Sequence, residues 1–184
     1  CRQERAGVNI ADGYSRIHNG RKIGVFTMQN GPGAENAFGG VAQAYADSVP
    51  LLALPGGESL ERRGGHPYFD AVANYGGITK WSAVIYMPER IPEAVRHAYT
   101  HMKHGRLGPA LVEMPSNVMA LEYPEDTVSY TPVQRHTSAA SSEDVRDTVS
   151  ALLKASNPMI NAGQGVMYAE ATPELVEFAE LANI

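Results

Sequence analysis

Apolar and polar positions follow two different periods along this chain. From Ala6 to Ile17 the apolar residues Ile10, Ala11, Tyr14 and Ile17 recur at spacings of one, three and three, which lines one face of a helix. Asn19-Gly20 breaks that pattern. "IGVFTM" (Ile23 to Met28) is a short, continuously apolar run of strand formers, the mark of a strand covered on both faces. After the turn "QNGPG", a second helix is expected from Ala34, with Ala37, Phe38, Val41, Ala42 and Tyr45 on one side. "VPLLAL", "WSAVIY" and "PALVEM" read as further strands, with a helix from about Pro92 to His104 before the last. Strands separated by helices of this length predict an α/β fold: a parallel sheet with helices on both faces and right-handed crossovers. Ligands of such sheets sit beyond the carboxyl ends of the strands, so the loops after Met28, Leu54 and Met114 are the ones to watch.

The pattern then lapses. "LEYPEDTVSYTPVQRHTSAASSED" has mixed polarity, two prolines and no sustained period, as a linker has. Beyond it, Ser141 and Asp144 form a capping box for a helix whose Val145, Val149, Leu152 and Leu153 share a face. "PMINAGQG" reads as a strand and glycine turn, and Thr172-Pro173 as the start of another helix. The expected organisation is a first domain over 1–120, a linker over 121–139, and the start of a second, Rossmann-like α/β domain over 140–184. Both ends of the chain look cut.

Composition narrows the function classes. The 184 residues are 43% hydrophobic without a long apolar run, and the net charge of −5 is dispersed. Neither a nucleic-acid footprint nor a basic membrane-binding face is visible. The single cysteine, Cys1, excludes an internal disulfide, and the first residues lack the apolar core of a signal peptide, so a cytoplasmic location is expected.

Several groupings could carry chemistry. "RQERAGVNIADGYSR" sets Glu4 between two arginines at a helix start, where an acid also simply opposes the helix dipole favourably. In "QNGPGAEN", Gly31 and Gly33 free the backbone and Pro32 stiffens it, making a rigid turn that a flat ligand could approach; an ordinary strand-to-helix turn has the same composition. Gly163-Gln164-Gly165 could open a dinucleotide fingerprint, but position 168 is Tyr where the third glycine would stand. His97, His101 and His104 lie within about 60° of one another on a helix, which would suit a metal or merely a solvated face near a helix C-terminus. The long stretch from Leu54 to Asp70 is expected to border a site.

Taken in order, these stretches resemble the pyrimidine-binding domain of thiamine-diphosphate enzymes of the acetolactate synthase type. The resemblance rests on Arg2-Gln3-Glu4, Ala11-Asp12-Gly13-Tyr14-Ser15-Arg16, Gly31-Pro32-Gly33-Ala34-Glu35-Asn36, Asp47-Ser48-Val49-Pro50, Thr79-Lys80-Trp81 and the run from Gly105 to Val118. It implies that Glu4 hydrogen-bonds the cofactor's aminopyrimidine and handles a proton there, with Arg2 and Arg5 as its scaffold. It implies that Gly31, Pro32, Gly33 and Asn36 form the cofactor-binding turn. The implied reaction is carboligation or decarboxylation of a 2-oxoacid through a C2 ylide, in branched-chain amino acid biosynthesis for the type member. The resemblance further implies magnesium and diphosphate bound by a separate C-terminal domain, a site completed across a homodimer or homotetramer, and no tight cofactor binding by these residues alone. Flavin (FAD) is left open. Gly57 stands where acetolactate synthases carry Gln, His66-Pro67 where they carry Phe-Gln, and Gly76 near their flavin-touching arginine. Glyoxylate carboligase, oxalyl-CoA decarboxylase and cyclic-dione hydrolases therefore stay as alternatives. So do a non-catalytic nucleotide-binding or assembly module, and a metal hydrolase built on His97 and His101.

Overall fold

A computed structural model describes residues 1–184, apart from the side chain of Glu125. The chain divides into a unit of Cys1–Arg135 and a unit of His136–Ile184. The first unit is built on four parallel strands, β1 (Gly24–Met28), β2 (Leu51–Gly57), β3 (Trp81–Val84) and β4 (Ala110–Pro115), in the spatial order β1-β2-β4-β3. The register pairs Val25 with Leu52, Leu52 with Ala110, and Ser82 with Leu111. Helices α1 (Glu4–Ile17), α2 (Pro32–Ala46), α3 (Ala71–Tyr75), α4 (Ile91–Lys103) and α5 (Ser116–Met119) complete the unit.

Successive strand side chains point to opposite faces, so the apolar runs feed two separate cores. Leu51, Ala53 and Leu111 pack with Val8 and Ala11 of α1, Ala37 and Val41 of α2, and Tyr75 of α3. Leu52, Ala110 and Val112 pack on the other face with Ala98 and Met102 of α4. The expected parallel sheet with helices on both faces is thus the one observed. The two-sided cover expected for "IGVFTM" is not: α4 lies over β3 and β4, and at the sheet edge Val25 is left 48% exposed.

Two local devices hold α1 against β1. Ser15 Oγ accepts a buried hydrogen bond from the Gly24 backbone N–H at 2.8 Å. A side chain on Gly24 would place its Cβ 2.0 Å from the Ala11 carbonyl oxygen, so the helix and strand approach closely only because that side chain is missing. The contact fixes α1, and with it the position of Glu4 at its first turn.

The segment 121–139 carries a 3-10 turn, Glu125–Thr127, and no α-helix or strand. In the second unit, Ser141 caps α6 (Ser142–Lys154), its Oγ accepting from the Asp144 N–H at 3.1 Å, as the capping box predicts. α7 (Gly165–Ala169) and α8 (Thr172–Ala182) follow, the latter with Pro173 in its first turn. The strand expected in "PMINAGQG" does not form: residues 158–164 make no ladder. A strand needs a neighbour for its backbone N–H and C=O groups, and among the described residues of this unit none is offered.

Candidate functional site

The geometry at the carboxyl end of β1 starts with Gly31. It is the N-cap of α2 and takes φ +55°, a backbone region that side-chain-bearing residues rarely adopt. Pro32 follows at the first helical position, where its missing N–H costs nothing. The turn delivers Gly33 and Asn36 to the start of α1. There Asn36 Nδ2 donates to Glu4 Oε2 at 3.3 Å. A Cβ on Gly33 would stand 3.6 Å from Glu4 Oε1, so the absence of a side chain keeps a cradle open beside that oxygen. Glu4, Gly33 and Asn36, 32 residues apart at the extremes, are thereby brought together. Arg2 and Arg5 are not part of the arrangement: neither comes within ion-pair distance of Glu4. The expected arginine scaffold is replaced by an amide, which holds one carboxylate oxygen without neutralising the group.

A second polar cluster lies at the carboxyl ends of β2 and β4. Glu113 of β4 is 1% exposed and pairs with the Arg63 guanidinium, which also reaches Asp70 at 3.5 Å. Space for Glu113 comes from Gly57 on β2, where a Cβ would fall 2.5 Å from Glu113 Oε1 and 2.9 Å from its Cγ. Burial raises the pKa of Glu113 above the ordinary carboxylate value; Arg63 and, more weakly, the Val72 backbone amide pull the other way. Its second oxygen, Oε2, has no hydrogen-bond partner, and neither has the buried hydroxyl of Tyr68. The Arg63 guanidinium lies over the Tyr68 ring, 5.6 Å from its centroid. Burial first, then the neighbouring Glu113 charge, pushes the Tyr68 hydroxyl up to about 12. The stretch from Leu54 to Asp70 supplies Arg63, Tyr68 and Asp70 and so does border the strand ends. Glu113 belongs to none of the motifs above, although a carboxylate inside the otherwise apolar "PALVEM" is a signal, since a buried charge needs a partner.

His97 and His101 flank the Trp81 indole, one edge-on at 5.8 Å and one parallel to it at 5.9 Å between ring centroids. Among the described residues, no group of three or more His, Cys, Asp or Glu side chains could hold a metal ion. Gly163-Gln164-Gly165 leads into the five-residue α7. No helix is long and apolar enough to cross a membrane.

Residues 1–76 match the family described as thiamine pyrophosphate enzyme, N-terminal TPP binding domain, a span that takes in Glu4, the Gly31-Pro32-Gly33 turn and Asn36. Over residues 1–76 the chain is similar to the thiamine pyrophosphate enzymes. It is 29% identical over 189 residues to the acetolactate synthase large subunit of Haemophilus influenzae, covering 100% of this chain and 33% of that protein. To the glyoxylate carboligase of Escherichia coli O157:H7 it is 30% identical over 188 residues, covering 100% of this chain and 31% of the relative. The crystal structure of benzoylformate decarboxylase from Polynucleobacter necessarius superimposes on 97% of this chain with a TM-score of 0.83 and 25% identity, using 33% of its own length. The chain therefore spans about a third of the length of the curated relatives it matches. The open cradle at Gly33 beside a carboxylate held from one side fits the pyrimidine end of thiamine pyrophosphate. The described side chains around the turn are carboxylates and amides, which do not suit the diphosphate end.

Proposed function

We propose that the first unit is the pyrimidine side of a thiamine diphosphate site, in an enzyme that joins or cleaves a carbon-carbon bond next to the carbonyl of a 2-oxoacid. The observation that carries this reading is the Glu4 carboxylate fixed by Asn36 with Gly33 left bare beside its other oxygen. Bound thiamine diphosphate would supply the electron sink for the carbanion, chemistry that resides in the cofactor itself. With thiamine diphosphate bound, Glu4 would hold and return a proton at the aminopyrimidine nitrogen through Oε1, while Asn36, donating to Oε2 at 3.3 Å, would orient the carboxylate. Gly31 and Pro32 give the turn one shape, and Gly33 leaves room for the ring's approach. Magnesium and the diphosphate are held by residues outside this chain. The site is completed across a homodimer or homotetramer, and a cytoplasmic location accompanies the reading.

The test is cofactor dependence in the full-length protein. Consumption of pyruvate or glyoxylate by enzyme stripped of cofactor is expected to begin only when thiamine diphosphate and magnesium are added together. Turnover that is indifferent to thiamine diphosphate would refute the reading.

A further inference from the structure

A recess of about 450 Å³ opens at the carboxyl ends of the strands beside the Gly31-Pro32 turn, within the range of small-molecule sites. Asn30, Glu35, Glu58, Tyr68 and Glu113 supply its polar lining. Two of these groups are buried and unsatisfied: Glu113 Oε2, on a residue 1% exposed, and the Tyr68 hydroxyl. The others are accounted for differently. Asn30 Nδ2 donates to Glu58 Oε1 at 3.0 Å, so these two partly satisfy each other. The lining carries no cationic side chain, and Arg63 neutralises Glu113 from outside it.

The lining is thus rich in acceptors, carries one hydroxyl donor, Tyr68, and lacks positive charge. A carboxylate or phosphate entering it would meet Glu35 and Glu58 with no guanidinium or ammonium in the wall, an unfavourable like-charge juxtaposition. A bare apolar group would leave Glu113 Oε2 and the Tyr68 hydroxyl buried without partners, which is also unfavourable. A hydroxyl can donate to one and accept from the other. We propose that this recess is a subsite for a hydroxyl-bearing, non-anionic part of the substrate, and that Tyr68 and Glu113 are the residues that set this specificity. The inference rests on the proposed thiamine-dependent chemistry for what is done to the substrate, and adds the class of group admitted.

The experiment measures binding, by saturation-transfer NMR on the full-length protein without turnover, for two probes of similar size: neutral dihydroxyacetone and anionic pyruvate. Dihydroxyacetone is expected to bind, and Tyr68→Phe to weaken it at least fivefold while leaving pyruvate unchanged. The Tyr68 hydroxyl has no hydrogen-bond partner in the fold, so Phe leaves the fold intact. Glu113→Gln, which keeps the side chain's shape, is the second variant and is expected to weaken dihydroxyacetone in the same direction. The subsite is overturned if dihydroxyacetone does not bind, if both variants weaken it less than fivefold, or if pyruvate falls in parallel. Dihydroxyacetone binding through Tyr68 in a protein that consumes no 2-oxoacid on cofactor addition would remove the functional reading and keep the subsite. Cofactor-dependent turnover with binding indifferent to both variants would do the reverse.

Discussion

Replacing Gly57 by Ala puts a methyl group where the structure has none to spare. The new Cβ would lie 2.5 Å from Glu113 Oε1, 2.9 Å from Cγ and 3.1 Å from Cδ. An exposed glutamate would swing aside at little cost, but Glu113 is 1% exposed and tied to Arg63. Overpacking of a filled interior costs about 1 to 3 kcal/mol, and disrupting one side of a buried ion pair about 3 to 5 kcal/mol. Arg63 keeps 18% of its side chain exposed and has Asp70 at 3.5 Å, so only part of the second cost applies. We expect Gly57→Ala to destabilise the first unit by about 2 to 4 kcal/mol. Urea denaturation followed by tryptophan fluorescence measures this cleanly, because the chain has one tryptophan, Trp81 on β3, and it belongs to that unit. Glu113→Ala alone removes the partner of Arg63 and is also destabilising. In the double variant the added methyl enters the volume that Glu113 vacates, so the combined loss should fall short of the sum by about 1.5 kcal/mol or more. A Gly57→Ala loss below about 1 kcal/mol, or additivity within about 0.5 kcal/mol, would refute the reasoning.

Further expectations are as specific. Ser15→Ala leaves the buried Gly24 N–H without its acceptor and should cost about 1 to 3 kcal/mol in the same fluorescence measurement. Because burial raises the Glu113 pKa, the folded state binds that proton more tightly than the unfolded chain does. The contribution to stability is therefore complete below the ordinary carboxylate value of 4.5 and is lost as pH rises through the raised one. Denaturation across that range should show the decline, and Glu113→Gln should flatten it. Asn36→Ala removes an exposed hydrogen bond of 3.3 Å, so stability should fall by about 1 kcal/mol or less. The freed Glu4 carboxylate should nevertheless weaken thiamine diphosphate binding to the full-length enzyme about five- to tenfold by calorimetry, since one lost hydrogen bond of about 1 kcal/mol has that effect.

What could be read from the sequence was whatever depends on neighbours in the chain. The apolar run "VPLLAL" announces a two-sided strand because both of its faces meet helices, and the Gly31-Pro32-Gly33 turn is recognisable because its backbone needs are local. The capping box at Ser141 is local in the same way. Facts set by distant partners were not legible. Nothing in "IGVFTM" says that it will lie at an edge with Val25 exposed, because edge position is decided by which other strands pair with it. Glu113 meets Arg63 across 50 residues, and Glu4 meets Asn36 across 32. Arg2 and Arg5 are adjacent to Glu4 in sequence, yet both are exposed and neither forms an ion pair with it. The expected strand at residues 158–164 shows the same principle from the other side: a suitable composition does not make a strand without a neighbour to pair with.

The central claim is that Glu4 handles a proton for the cofactor. Its most direct measure is the rate at which the C2 proton of enzyme-bound thiamine diphosphate exchanges with deuterated solvent, read by quenched-flow NMR on the full-length enzyme. A positioned acid-base group contributes about 100- to 10,000-fold, so Glu4→Gln is expected to slow the exchange at least about 100-fold with the cofactor still bound. Exchange within about tenfold of the unsubstituted enzyme, at saturating cofactor, would contradict the account.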